Sequence, residues 1–242
     1  MIIKNIKLTN FRNYDNLDLE LNNGVNIFYG NNAQGKTNII EAIFLSAIGK
    51  SFRSNKDSEL IKLGKDSANV CIDYINSDRE GNISIDIGDK KKVKINGIPA
   101  KKLSEILGKV YVVLFTPDDI NILKGSPQER RKFLNIMISQ LRPLYMFVLN
   151  EYIKTMNQRN SYLKQIKFEN KPEEMLDIWD MKLAEYGMKI YSYRKEFIEK
   201  ISNKIQEIHS KITNNNEIIE IKYNFECKDK NEYYSKLVKQ RR

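Results

Sequence analysis

The feature that most constrains this sequence is a short glycine-rich segment between an apolar run and an amphipathic run. It matches G-x-x-x-x-G-K-[ST] at every fixed position: Gly30-Asn31-Asn32-Ala33-Gln34-Gly35-Lys36-Thr37. The apolar run at residues 25–29 predicts a buried strand, and residues 37–48 predict a helix that Gly49 ends. Because strand, loop and helix in this order are the context in which the pattern binds phosphates, we expect an α/β fold.

The residue types of this loop suit phosphate chemistry. Glycines let the backbone wrap around an anion, and the N–H groups at the start of the following helix point at it. We expect Lys36 to reach the β and γ phosphates of a nucleotide and Thr37 to offer its hydroxyl to a bridging Mg²⁺. Residues 30–37 therefore predict a nucleotide site with Mg²⁺ at Thr37.

Alternation with period two predicts antiparallel hairpins near both ends of the nucleotide half. Residues 17–21 alternate apolar and polar side chains, and the same pattern returns between residues 69 and 99. Asn96-Gly97 is a strong signal for a tight turn. Residues 110–115 form another apolar run, which predicts a further strand.

The second half of the chain is dominated by helix signals. Thr116-Pro117-Asp118-Asp119 predicts one helix start, and Ser126-Pro127-Gln128-Glu129 predicts another with an S-x-x-E capping box. Helix should then continue to about residue 212, and the apolar stripe from residue 176 to residue 208 predicts one long helix, despite Gly187. Residues 218–225 alternate like a strand, and a helix is expected from residue 232.

Composition indicates a folded protein of the cytoplasm that could meet nucleic acid. The formal net charge of the 242 residues is +10, and residues 126–242 carry 23 basic against 16 acidic side chains. That balance suits phosphate backbones, although the abundance of Lys, Asn and Ile could equally reflect an AT-rich genome. Neither a membrane-spanning run nor a signal peptide is evident, and Cys71 and Cys227 are expected to be reduced thiols.

Several segments beyond the loop resemble known ATPases. Asn10-Phe11-Arg12-Asn13-Tyr14 and the continuation Gly35-Lys36-Thr37-Asn38-Ile39-Ile40-Glu41-Ala42 resemble the SMC-related ATPases. The stretch from Phe115-Thr116-Pro117-Asp118-Asp119 to Arg130-Arg131-Lys132-Phe133 resembles the RecF family specifically, and Gly49-Lys50-Ser51-Phe52-Arg53 is similar to it as well. The likeness covers essentially the whole chain, in its later segments only as a pattern.

This resemblance implies a fold and a function. The fold would be an ABC/SMC-like P-loop ATPase lobe with antiparallel β-hairpins and an inserted helical lobe: lobe 1–125, helical lobe 126–212, and a return towards the ATPase lobe at 213–242. The function would be ATP-dependent binding of DNA as a homodimer, with single-stranded and double-stranded DNA and their junctions as ligands and RecR and RecO as partners, in recombinational repair, replication restart and SOS induction.

The same resemblance extends the expected nucleotide site to Asn38 and Arg12. For Arg12, a solvated charge or a turn anchor is the alternative. ATPase heads of this class also carry a Walker B strand ending in Asp-Glu and a Ser-Gly-rich signature motif, and neither occurs before Arg242. We therefore expect weak ATPase activity in a complete protein, negligible hydrolysis here and no assignable catalytic residue. A nuclease-linked or transport-linked ABC-type ATPase and a small-molecule kinase remain the alternatives.

Overall fold

The protein is described by a computed structural model that covers residues 1–77 and 79–241. Its internal contacts divide the chain into two compact units, Met1–Pro143 (unit 1) and Leu144–Arg242 (unit 2). The division into lobes at residues 125 and 212, predicted from the sequence, stays a prediction.

A six-stranded antiparallel sheet forms one layer of unit 1. Its strands lie in the order β2-β1-β3-β4-β5-β6. Their bounds are β1 Ile2–Phe11, β2 Tyr14–Glu20, β3 Ala68–Asn76, β4 Arg79–Ile87, β5 Lys92–Ile95 and β6 Ile98–Pro99. Ile6 pairs with Ile72, and Ile72 pairs in turn with Ile83, so the alternating isoleucines share one buried face. The predicted hairpins are confirmed, including the tight turn at Asn96-Gly97.

Helix α1 (Lys36–Ile48) contributes its apolar face to the same core. Ile39, Ala42 and Leu45 are buried with the inner face of the sheet. Gly49 ends the helix with a positive φ of 81°, and its N–H bonds to the carbonyl of Leu45. The helix is therefore fixed at its far end, and its first turn carries the glycine-rich loop.

Three segments predicted as strands are unpaired, so that prediction was wrong. Among the described residues, no strand ladder includes residues 25–29, 110–115 or 218–225; one isolated bridge joins Leu107 and Val110. The side chain of Gln140 substitutes for a neighbouring strand at one point, since it accepts from the N–H of Val112 and donates to its carbonyl. Apolar runs and alternation both suit a strand, but a strand also requires a partner beside it.

The two helix starts predicted at Thr116 and Ser126 are confirmed, and unit 1 also contains 3-10 helices at Asp57–Leu60 and Leu103–Ile106 that were not predicted. Two short turns, a 3-10 helix at Pro117–Ile120 and α2 (Asn121–Lys124), precede α3 (Pro127–Leu141). The carboxylate of Asp119 accepts from the N–H and hydroxyl of Thr116, which closes the first helix start. At Ser126 the side-chain cap that the sequence predicted is not formed, because the N–H of Glu129 bonds to the backbone carbonyl instead.

Unit 2 is built on long helices. These are α4 (Pro143–Glu169, which begins at the last residue of unit 1), α5 (Leu176–Thr213) and α6 (Lys230–Lys239). The single 38-residue helix α5 confirms the prediction from its apolar stripe. Within residues 1–77 and 79–241, no helix is both long enough and apolar enough to cross a bilayer.

Within unit 2, side chains of helices α4, α5 and α6 contact one another, and α5 also contacts the segment at residues 218–225. Tyr191 of α5 stacks on Phe225, with 4.5 Å between ring centroids. Asp180 is fully buried and pairs with Arg159 of α4 and with Arg241 just after α6. Because a buried carboxylate is costly without such partners, this network fixes the last helix against the other two.

Candidate nucleotide-binding site

The glycine-rich loop makes a tight, solvent-exposed turn before helix α1. Three of its residues have positive φ: Gly30 at 136°, Ala33 at 62° and Gly35 at 99°. Residues 30–34 are exposed, and the first bonds of helix α1 close on Gly35, whose carbonyl accepts from the N–H of Asn38 at 2.8 Å. The loop therefore curls over the N-terminus of α1, and its residues 30–34 lie open to solvent.

The charges at this end of the helix favour an anion. No acidic residue lies in the first turn of α1, so no carboxylate neutralises the positive end of the helix dipole. The ammonium of Lys36 curls back into the loop and donates to the carbonyls of Gly30 at 2.8 Å and Asn31 at 2.6 Å. These are weak, neutral acceptors, and a phosphate would offer the ammonium a charged one.

The turn between β1 and β2 supports the loop from below. A Cβ atom on Gly35 would lie 2.7 Å from the Tyr14 hydroxyl and 2.8 Å from Oδ1 of Asn13. Oδ1 of Asn13 also accepts from the side chain of Asn38 at 2.7 Å. Burial raises the pKa of Tyr14, so its phenol stays neutral near pH 7. Gly35 is thus required both by its φ and by close contact.

A buried carboxylate stands one turn further along α1. Glu41 is fully buried and accepts from Nε of Arg12 at 2.9 Å, from a second guanidinium nitrogen of Arg12 at 2.6 Å and from the hydroxyl of Ser51. Arg12 has a positive φ of 55° and also donates to the carbonyl of Glu59 at 2.7 Å. The family resemblance implied that Arg12 lies near the nucleotide, with a solvated charge or a turn anchor as the alternative. In the structure its guanidinium lies against Glu41, and a contact with the nucleotide stays a prediction.

Arg53 lies beside the first two turns of α1. It donates to Oδ1 of Asn38 at 2.9 Å and lies 3.5 Å from the carboxylate of Glu41, yet 46% of its side chain is exposed. Together with Thr37 it lines an open cavity of about 600 Å³. The cavity therefore has a hydroxyl and a guanidinium on the wall where the helix begins.

Acidic side chains stand on another wall of this cavity. Asp118 and Asp119 line it with Thr37, and Asp119 is engaged by Thr116. The 3-10 helix at Pro117–Ile120 agrees with the predicted helix start.

Sequence reasoning missed the roles of Glu41, Ser51 and Arg53. One signal was available, since Glu41 lies within the otherwise apolar run Ile39-Ile40-Glu41-Ala42-Ile43. A carboxylate on a buried helix face needs a cationic partner, which pattern alone does not identify. Arg12 and Arg53 lie 29 and 12 positions away in the sequence, so only the fold brings them to it.

Comparison with known proteins decides the family. A family model described as an AAA domain matches residues 5–241. The chain belongs to the AAA domain family. Its resemblance to the RecF family is also confirmed: it is 44% identical over 225 residues to the DNA replication and repair protein RecF of Acetivibrio thermocellus, and 43% identical over 244 residues to that of Clostridium novyi.

A solved structure agrees with this assignment. The chain superposes on the recombination mediator protein RecF with ATP, from the RecFOR pathway, with a TM-score of 0.92 at 39% identity, over 98% of this chain and 66% of the other. The matches to the two curated relatives cover 92% and 98% of this chain, and 61% and 66% of those relatives. The chain thus spans a little under two thirds of the length of the proteins it matches.

Proposed function

We propose that this chain is an ATP-binding protein of the RecF type that acts in DNA replication and repair. One observation carries the proposal: the loop at residues 30–37 offers open amides, a lysine held only by neutral carbonyls and a helix start free of carboxylates. These are the requirements of a triphosphate site. The relatives named as DNA replication and repair proteins, and the ATP complex of RecF, support the same function.

The proposed nucleotide contacts are residues 30–38. The backbone amides of the loop would surround the phosphates, and Lys36 would exchange its two carbonyl acceptors for phosphate oxygens. The side chain of Asn38 would hold the loop in place through its hydrogen bond to Asn13. Arg12 would act indirectly, through its ion pair with Glu41.

Mg²⁺ is the proposed companion of ATP. Thr37 is exposed on the cavity wall and offers a hydroxyl oxygen, which suits a hard cation. Asp118 on the same cavity supplies negative charge that would attract the ion, directly or through water. When bound, Mg²⁺ would neutralise charge on the β and γ phosphates.

DNA, a second copy of the chain and the proteins RecR and RecO are the proposed partners. The net charge of +10 supports attraction to a phosphate backbone. The RecFOR pathway of the solved RecF structure supports RecR and RecO as partners. ATP would act as the switch, because a ligand that favours one state of the protein shifts its population towards that state.

Calorimetric titration with ATP and Mg²⁺ tests the proposal. We expect Lys36→Ala to abolish the heat of binding, because the variant loses the ammonium that is expected to reach the β and γ phosphates. Lys90→Ala, the same change of charge at an exposed loop, should bind like the native chain. ATP-dependent retention of DNA by the native chain, lost in Lys36→Ala, is expected alongside. Equal ATP affinity in the native and Lys36→Ala chains would refute the site.

A further inference from the structure

The side chains behind the loop form one connected group. Three segments contribute to it: the turn after β1 with Arg12 and Asn13, helix α1 with Asn38 and Glu41, and the loop after α1 with Ser51 and Arg53. Within the group, Asn13 bonds Asn38, Asn38 accepts from Arg53, and Glu41 holds Arg12 and Ser51 and lies beside Arg53. A displacement of any one segment would therefore be felt at the first turn of α1.

Glu41 is the centre of this group. Its carboxylate is fully buried and lies within salt-bridge distance of two guanidiniums. Since one negative charge faces two positive charges, the group keeps a net charge of +1 close to the start of α1. Buried carboxylates persist only when their hydrogen bonds and charges are satisfied. Glu41 meets that condition through hydrogen bonds from Arg12 and Ser51 and through the nearby charge of Arg53.

The two arginines are placed differently. The guanidinium of Arg12 donates hydrogen bonds to the carboxylate of Glu41 and to the carbonyl of Glu59, and the Arg12 side chain is only 19% exposed. Arg53 makes a weaker approach to Glu41 at 3.5 Å and one bond to Asn38, and nearly half of it is open to the cavity that Thr37 also lines. Arg53 thus retains donors on the side where phosphate oxygens would arrive.

We propose that Glu41 is a positioning residue of the nucleotide site, which holds Arg12 behind helix α1 and presents Arg53 to the phosphates from the wall of the cavity. This inference rests on the proposed function. Glu41 touches no ligand itself and acts through Arg53. Ser51 assists, because its hydroxyl bonds Glu41 and also accepts from the backbone N–H of Arg53 at 2.9 Å, which fixes the start of the Arg53 side chain.

A double-mutant cycle on the full 242-residue chain tests the proposal, with ATP and Mg²⁺ as the probe. Dissociation constants are measured for the native chain, Glu41→Gln, Arg53→Gln and the double variant, at a temperature where circular dichroism shows all four to be folded. We expect each single change to weaken binding about tenfold, and the double variant to bind no more weakly than Arg53→Gln, because Glu41 acts through Arg53.

Several results would overturn the proposal. One is unchanged binding by Glu41→Gln, and another is a loss of about a hundredfold in the double variant, which is the product expected of independent sites. If Glu41→Gln does not fold, Arg53→Gln decides alone, since Arg53 is half exposed: an unchanged dissociation constant refutes the proposal, and a tenfold loss with Ser51→Ala intermediate supports it. Failure of the native chain to bind ATP would instead refute the proposed function.

Discussion

At the scale of single residues, two glycines matter because a neighbouring side chain occupies the space of a missing Cβ atom. Gly35 meets Tyr14 and Asn13 beneath the nucleotide loop. Gly187 lies in the middle of α5, where helix propensity gives no reason for it, and a Cβ atom there would be 2.2 Å from Cε1 of Tyr233. The sequence marked Gly187 only as an interruption, because its partner lies 46 residues away.

The substitution Gly187→Ala distinguishes the effect of helix propensity from the effect of packing against Tyr233, because the two change the free energy of unfolding in opposite directions. Propensity alone predicts a gain of about 1 kcal/mol in the free energy of unfolding. The structure predicts a loss of about 1–3 kcal/mol from overpacking, because Tyr233 is held by the hydroxyl of Tyr152 at 2.8 Å and by the ring of Phe225. Urea unfolding would measure the sign, and adding Tyr233→Ala should remove the clash. A more stable single variant would contradict the packing.

At the scale of elements, the sequence predicted what depends on local pattern and missed what depends on distant partners. The hairpins, the turn at Asn96-Gly97 and the 38-residue helix α5 follow from periodicity and turn chemistry. Two of the unpaired segments are apolar runs and the third alternates, as strands do, but no pattern within them reveals whether another strand lies alongside. The nucleotide loop was evident from consecutive residues, whereas the Glu41 group required segments from three parts of unit 1.

The attachment of α6 to α5 should depend on pH. Hydrogen bonds from Arg241 and then from Tyr234 lower the pKa of Asp177. A carboxyl with a lowered pKa in the folded state stabilises the fold above its unfolded value of about 3.9, and the contribution disappears as the pH falls through the folded value.

Thermal unfolding of Asp177→Asn across pH tests that dependence. The variant should have a lower melting temperature than the native chain at pH 7, and the difference should shrink steadily below about pH 4. Asp89→Asn, in an exposed loop, serves as the control and should follow the native curve. If the difference in melting temperature between Asp177→Asn and the native chain stays constant down to pH 2, the ion pair is not its cause.

At the scale of the whole molecule, the extended segments of unit 1 leave apolar side chains in solvent. Residues 25–29 expose Val25, Ile27 and Tyr29, and residues 111–115 expose Val113 and Phe115. Phe28 and Val112, which alternate with these exposed residues, pack against the core. An unpaired segment with one apolar face open is prone to pair with another chain.

Substitutions at the neighbouring residues Val112 and Val113 test which face of the segment at residues 111–115 is buried. Val113 is 83% exposed, so Val113→Thr should leave the free energy of unfolding nearly unchanged and reduce self-association, measured by light scattering. Val112→Thr makes the same chemical change on the inner face and should cost about 1 kcal/mol, the low end for an unbonded buried hydroxyl. Equal effects of the two substitutions would contradict the assignment of the faces.

The central claim is that the amides at residues 30–38 bind the phosphates of ATP, and residue-resolved hydrogen exchange tests it most directly. In the native chain, ATP with Mg²⁺ should slow exchange at these amides, which are now largely exposed, and Lys36→Ala should show no such protection. Binding of ATP with unchanged exchange at residues 30–38, or with protection only elsewhere, would contradict the account.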